Sequence, residues 1–380
     1  MVDVMQIGAK IKRLRKDRGL TQQAFADELN VSFQAVSNWE RGITPPDLDN
    51  IVQIASFFGI LVDELLCPSD EELVLGIDGG GTKTAFALTT LDGRVLRSFT
   101  REASNPNSVG VQTTFNILSG GIAEIINTYP SVSSIFCGIA GVASGGCIDY
   151  LTDELTKRFQ NKKIVIKSDY ENIFSLDDDA DIAIISGTGS VVCIRQDGEN
   201  TLIGGWGYIF DKAGSAFDIG RDAICTALEE ETFGAESSAI SELIKKDLNV
   251  SCIRSVLGSV YSRDKSYVAS FAKFVFEAYE KGDKKAEEII DESAKRLAQL
   301  LNVAVARYGA KPKAISGGGL FEHYGDIMLG HISKYTSVEI IIPSCPPLYG
   351  ACKQARLLSD GNIPSNYYAN FMESYKEIVK

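Results

Sequence analysis

The residues best suited to chemistry follow a short apolar run. Val74-Leu75-Gly76-Ile77 leads into Asp78-Gly79-Gly80-Gly81-Thr82-Lys83-Thr84. Glycines let backbone amides approach an anion, and Thr82 adds a hydroxyl. A carboxylate at a strand end, Asp78, can hold a magnesium ion through water. The spacing is not that of a P-loop, and no helical pattern follows. A second run, Ile182–Ile185, leads into Ser186-Gly187-Thr188-Gly189-Ser190, and a third ends in Ile315-Ser316-Gly317-Gly318-Gly319. One glycine-rich turn is a weak signal. Three, each after an apolar run, predict amides from three strand ends converging on one polyphosphate.

Asp169, in "KSDYEN", has two readings: a base that accepts a proton, or the cap of a helix start. Asp177-Asp178-Asp179 with Asp181 reads as a solvated loop rather than a metal site. The eight cysteines include no CxxC pair, and the histidines are His323 and His331. A zinc or iron–sulfur site within this one chain is therefore not expected, and the thiols read as buried and reduced.

These residues need elements to hold them. Leu73 onward alternates apolar runs with helical patterns. Ala85–Leu88 and Val95-Leu96 flank the tight turn Asp92-Gly93. Ser134–Ile139, Ile164–Lys167 and Ile182–Ile185 are strand-like; Asn116–Asn127, Leu151–Phe159, Tyr267–Lys281, Lys284–Tyr308 and Tyr367–Val379 are helix-like. This is a mixed α/β pattern without a short tandem repeat. Before it, Cys67-Pro68-Ser69-Asp70-Glu71-Glu72 reads as a linker. A chain of 380 residues, 44% apolar and 23% charged, fits more than one globular unit. No stretch approaches a membrane span and no secretory core opens the chain, so a cytoplasmic protein is expected. The net charge of −12 repels DNA as a whole, so any DNA contact needs a local basic face.

Residues 1–66 read as five short helices. Ile7, Ile11 and Leu14 share one face of the first, with Lys10, Lys12, Arg13, Arg15, Lys16 and Arg18 around it as candidate phosphate contacts. Thr21 caps a second helix carrying Ala24, Phe25 and Leu29. Ser32 caps a third, with Val36 and Trp39 inward and Phe33, Gln34, Ser37 and Asn38 outward. Leu48, Ile51, Ile54 and Ala55 form the apolar face of a fourth. Glutamine and asparagine read adenine in bidentate fashion, and Phe33 can touch a thymine methyl. Gln22 is placed to meet a phosphate. "LTQQAFADELNVSFQAVSNWERG" resembles the Xre-type (Cro/repressor-like) helix-turn-helix family, which implies a dimer on a paired half-site.

The three glycine loops, with "SNPNSVG", "GIAG", "SDYE", "GGWG" and "PPLYGA", resemble the N-acetylglucosamine kinase and BadF-type ATPase family. The resemblance implies an actin/hexokinase-like (ribonuclease-H-like) α/β fold of two lobes, at 73–185 and 186–358, with a tail helix in 359–380. It implies ATP and Mg2+ as cofactors, with 78–84 and 186–190 bracketing the phosphates and 316–320 meeting the nucleoside. It assigns Asn105, Trp206, Gly207 and Asp211 to the sugar side. An aspartate after the strand that corresponds to Ile164–Lys167 serves as base in the wider group, and the resemblance implies that role for Asp169. Two departures stand out. The "GGD" loop reads Gly141-Val142-Ala143-Ser144, and "GDEGS" reads Asp211-Lys212-Ala213-Gly214-Ser215. The cysteine motif of cluster-holding BadF relatives is absent. The expectation is a homodimeric DNA-binding regulator that senses a sugar, sugar phosphate or nucleotide. The alternative is an active ATP-dependent amino-sugar kinase or BadF-type ATPase carrying a DNA module.

Overall fold

The computed structural model describes residues 4–60, 62–66, 72–143, 145–309 and 311–379. Cys67 through Glu71 of the expected linker, Asp3 and Ser144 lie outside them.

Five helices open the chain: α1 (Val4–Asp17), α2 (Gln22–Glu28), α3 (Phe33–Glu40), α4 (Leu48–Phe58) and α5 (Val62–Leu66). The Thr21 hydroxyl accepts from the Ala24 amide and Ser32 from the Ala35 amide, each at 3.1 Å. Such caps satisfy amides that the first helical turn leaves unbonded. Ile7, Ile11, Phe25, Val36, Trp39, Ile54 and Leu65 form the core. Part of the basic set expected on the surface is structural instead. Arg15 forks onto Glu40 at 2.5 and 2.9 Å, and Lys10 is buried. Arg18 donates to the carbonyls of Phe57 and Phe58 and covers both rings. Leu48 is 73% exposed, not part of the apolar face, because it follows the cap Asp47 at the helix start.

Two five-stranded sheets follow. The first contains β1 (Leu73–Gly79), β2 (Lys83–Thr90), β3 (Val95–Glu102), β4 (Val132–Ile139) and β5 (Lys163–Ser168), ordered β3-β2-β1-β4-β5. The second contains β6 (Ile182–Ser186), β7 (Ser190–Gln196), β8 (Glu199–Gly204), β9 (Ala314–Gly317) and β10 (Ile340–Ile341), ordered β8-β7-β6-β9-β10. In each, the first three strands form an antiparallel meander and the last two run parallel to the first. One plan is therefore used twice, although the sequence shows no repeat. β1 is buried because both faces are covered, which is why it reads as a continuous apolar run.

Each half ends in a helix that ties the halves together. Tyr170–Phe174 follows β5 and Pro347–Asp360 follows β10. The latter lies across β1 and β4 of the first sheet and against Tyr170–Phe174. At their crossing a Cβ on Gly350 would collide with the Asn172 carbonyl, so the approach requires glycine. The expected helix Tyr267–Lys281 is instead two, Lys265–Ala269 and Ala272–Glu280, whereas Lys284–Tyr308 is one helix as read. The last helix, Tyr367–Ile378, is tied to β3, the Val95 amide donating to Ser374 Oγ at 2.8 Å. No described helix is long and apolar enough to cross a membrane.

Candidate functional site

The first two glycine loops are the same turn in the duplicated plan. Gly79–Thr82 joins β1 to β2, and Gly187–Gly189 joins β6 to β7. Their tips meet across the halves, with Thr82 Oγ1 and Thr188 Oγ1 3.3 Å apart. The third loop closes the group. A Cβ placed on Gly187 would lie 3.6 Å from the Gly319 amide nitrogen. Gly318 has φ +90°, open to glycine, and any Cβ there would crowd the Ser186 carbonyl. Gly319 then starts the helix Gly319–Ile332. Gly79, Gly80, Gly81, Gly187, Gly189, Ser190, Gly317 and Gly318 thus belong to one neighbourhood, and Lys83 opens β2 beside it. The geometry brings glycine turns and hydroxyls from both halves to one place, an arrangement suited to a polyphosphate, although the Gly80 and Gly187 amides are bonded within their own turns to Lys83 O and Gly189 O at 2.9 Å each.

Two half-buried carboxylates flank these loops. Asp78 is the penultimate residue of β1, and its Oδ1 accepts from Asn172 Nδ2 at 2.6 Å. Burial pushes its carboxyl up to about 7, against the Asn172 hydrogen bond, and nearby Asp169 adds to the rise. Asp169 is itself pushed to about 6, again chiefly by burial. It precedes the helix Tyr170–Phe174 but makes no side-chain capping bond across it. Among the described residues no cluster of three histidine, cysteine or acidic side chains is arranged for a metal. A magnesium ion at Asp78 would depend on this carboxylate and on nucleotide phosphates, which is the usual Mg2+ arrangement.

The expected sugar side is divided. The Ser104 amide donates to Gly80 O at 3.3 Å, so Asn105 stands beside the first glycine turn. Asn105 Oδ1 accepts from the Asn107 amide at 2.9 Å, and Asn107 Nδ2 donates to Gly141 O at 3.2 Å. Gly141 packs against Asn105 so tightly that a Cβ there would strike its amide. Val142 is buried and Ala143 exposed, so this loop offers no carboxylate at its described positions. Trp206 and Gly207 lie on the loop after β8. Its turn is closed by the Gly207 amide donating to Asp211 Oδ2 at 3.1 Å. Trp206 is 75% and Phe210 80% exposed, so the expected pocket wall is open. Lys212 is exposed, its carbonyl accepting from Arg296 Nη1 at 3.2 Å.

On the helical module, Phe33 and Gln34 are exposed on α3 and Ser37 and Asn38 half-exposed, while Val36 and Trp39 face the core. Gln22 Nε2 donates to Glu40 Oε2 at 2.7 Å, joining the Arg15–Glu40 pair. Gln22 is therefore also a brace between α2 and α3.

A model of the BadF/BadG/BcrA/BcrD ATPase family matches residues 75–354. The chain belongs to this family. A helix-turn-helix model matches residues 11–65. The N-acetylmuramic acid/N-acetylglucosamine kinase of Clostridium acetobutylicum is 28% identical over 299 residues, 74% of this chain and 98% of that protein. The transcriptional activator BcrR of Enterococcus faecalis is 40% identical over 70 residues, 18% of this chain and 33% of that protein. The structure of a candidate N-acetylglucosamine kinase from Chromobacterium violaceum superposes with TM-score 0.60 at 18% identity, covering 74% of this chain and 98% of that one. A ROK-family transcriptional regulator homologous to the E. coli MLC protein superposes with TM-score 0.51 at 15% identity, covering 98% of this chain and 99% of that one. The chain is thus a helix-turn-helix fused to a BadF-family kinase-like fold.

Sequence reasoning missed Asn172, which reaches Asp78 from the helix tying the halves together. It is fully buried, also donates to Gly138 O at 3.3 Å, and its Oδ1 finds no partner among the described residues. Its only trace was its place in "SDYEN". A partner 94 residues away in the chain leaves no local signal.

Proposed function

We propose that this BadF-family chain is a DNA-binding transcription regulator whose kinase-like part binds a nucleotide with Mg2+ and an amino sugar or its phosphate. The observation that carries the reading is the joining, in one chain, of a helix-turn-helix to a cleft where loops from two halves meet. The α3 face of Phe33, Gln34, Ser37 and Asn38 reads bases, with the chain acting as a dimer on paired half-sites. Asp78, Gly79–Lys83, Gly187–Ser190 and Gly317–Gly319 hold the nucleotide. Asn105, Trp206, Gly207 and Asp211 meet the sugar. Closing the cleft moves the tied helices, and the ligand shifts DNA affinity only by binding one state more tightly. The test is operator affinity, by fluorescence anisotropy, on a duplex selected from a random library. Adding Mg-nucleotide with N-acetylglucosamine or its phosphate is expected to change affinity about tenfold, within the usual range of couplings. Unchanged affinity at saturation rejects the sensor.

Asp169 favours a second reading, an active amino-sugar kinase. A half-buried carboxyl pushed to about 6 beside the glycine loops suits a proton acceptor. Sugar-dependent ATP consumption abolished by Asp169→Asn would establish it.

A further inference from the structure

The phosphate loops are amides and hydroxyls, yet the groups they suit are multiply charged. Asp264 caps the helix Lys265–Ala269, accepting from the Ser266 and Tyr267 amides. Ser266 Oγ donates to the Gly81 carbonyl at 3.2 Å. This bond crosses between the halves and pins the backbone beside Lys265 against the β1–β2 turn, one residue before Thr82. The Lys265 ammonium itself lies 5.6 Å from the centre of the Tyr208 ring. Tyr208 belongs to the loop that carries Trp206, Gly207 and Asp211, and it packs edge-on against Phe217 at 5.0 Å. Lys265 therefore stands where the phosphate turn and the aromatic loop come together. It is half-buried, and no carboxylate pairs with it among the described residues; Asp264 is engaged as the cap. Burial lowers its pKa, and neighbouring Asp264 opposes that shift.

We propose that Lys265 is the counter-cation for a phosphoryl group lying between the β1–β2 turn and the 206–211 loop. That group is the terminal phosphate of a nucleoside triphosphate or the phosphate of a sugar phosphate. The assignment rests on the nucleotide-and-sugar reading above and goes further in placing the charge.

The test is calorimetry on the full chain with Mg2+, using ADP, a non-hydrolysable ATP analogue, N-acetylglucosamine and its 6-phosphate. Lys265→Ala is expected to weaken the ATP analogue, the sugar phosphate or both by about tenfold or more, a charged hydrogen bond's usual worth. ADP and the unphosphorylated sugar should stay within about twofold, and Lys265→Arg should restore binding. Equal weakening of all four ligands would reveal a merely structural lysine, and no weakening would also overturn the proposal. Wild-type chain that binds none of the four would remove the nucleotide-and-sugar reading itself, an outcome visible before any variant is made.

Discussion

β1 and β6 occupy the same place in two copies of one sheet plan, yet they end differently. β1 carries, one residue before its end, the half-buried carboxylate Asp78 with Asn172 on its Oδ1. β6 ends in Ser186, whose hydroxyl donates to Gly214 O at 3.0 Å. The strands that close each sheet differ in the same sense. β5 runs into Asp169, whereas β10 runs into Ile342-Pro343-Ser344 with no acid. Both halves supply glycine turns that can face an anion, but only in the first do the strands before the turn and at the close of the sheet lead into carboxylates. Duplication thus gives a symmetric cradle, and the asymmetry laid over it decides where cation and proton chemistry can occur.

The largest expected effect attacks that asymmetry. Asp78→Asn should weaken Mg-nucleotide binding by about a hundredfold, roughly 2.7 kcal/mol, whereas Ser186→Ala should change it little. Equal effects, measured by calorimetry, would mean that the two turns do the same work. Next comes the crossing that holds the halves together. Gly350→Ala inserts a methyl into the Asn172 carbonyl, and should lower stability by about 1–3 kcal/mol in chemical denaturation. A neutral result would deny that this contact is tight.

The pH dependence sharpens the comparison further. Asp78 is raised to about 7 in the folded chain, so folding favours its protonated form. Stability from this group is complete below the ordinary carboxyl range and is lost as pH rises through about 7. Melting temperature of the ligand-free wild type should therefore fall between pH 5 and 8 more steeply than that of Asp78→Asn, and parallel curves would contradict the burial argument. The smallest expected effect is at the meeting of the turns. Thr188→Val should weaken nucleotide binding about fivefold through one lost hydroxyl, with the fold intact by circular dichroism.

What the sequence revealed depended on how local the cause was. Thr21 and Ser32 cap helices through bonds to amides three residues on, so the helical module was legible almost to its termini. Arg15 and Arg18 were misplaced on its surface because their partners, Glu40 and the Phe57–Phe58 carbonyls, lie a further 25 to 40 residues along. The glycine loops announced themselves locally, and the structure brings all three together. The repeat that aligns them is a matter of strand order, which "DGGGTKT" and "SGTGS" do not share as sequence. Lys265 was invisible for a similar reason, since Ser266 meets Gly81 across 185 residues.

The most direct test of a DNA reader governed by this cleft is reciprocity. Affinity for Mg-nucleotide and amino sugar would be measured by calorimetry on the full chain, with and without a saturating selected duplex. The duplex is expected to change ligand affinity by the same factor by which ligand changes duplex affinity, as linkage demands. Identical ligand affinities in the two titrations would contradict it, leaving two independent modules on one chain.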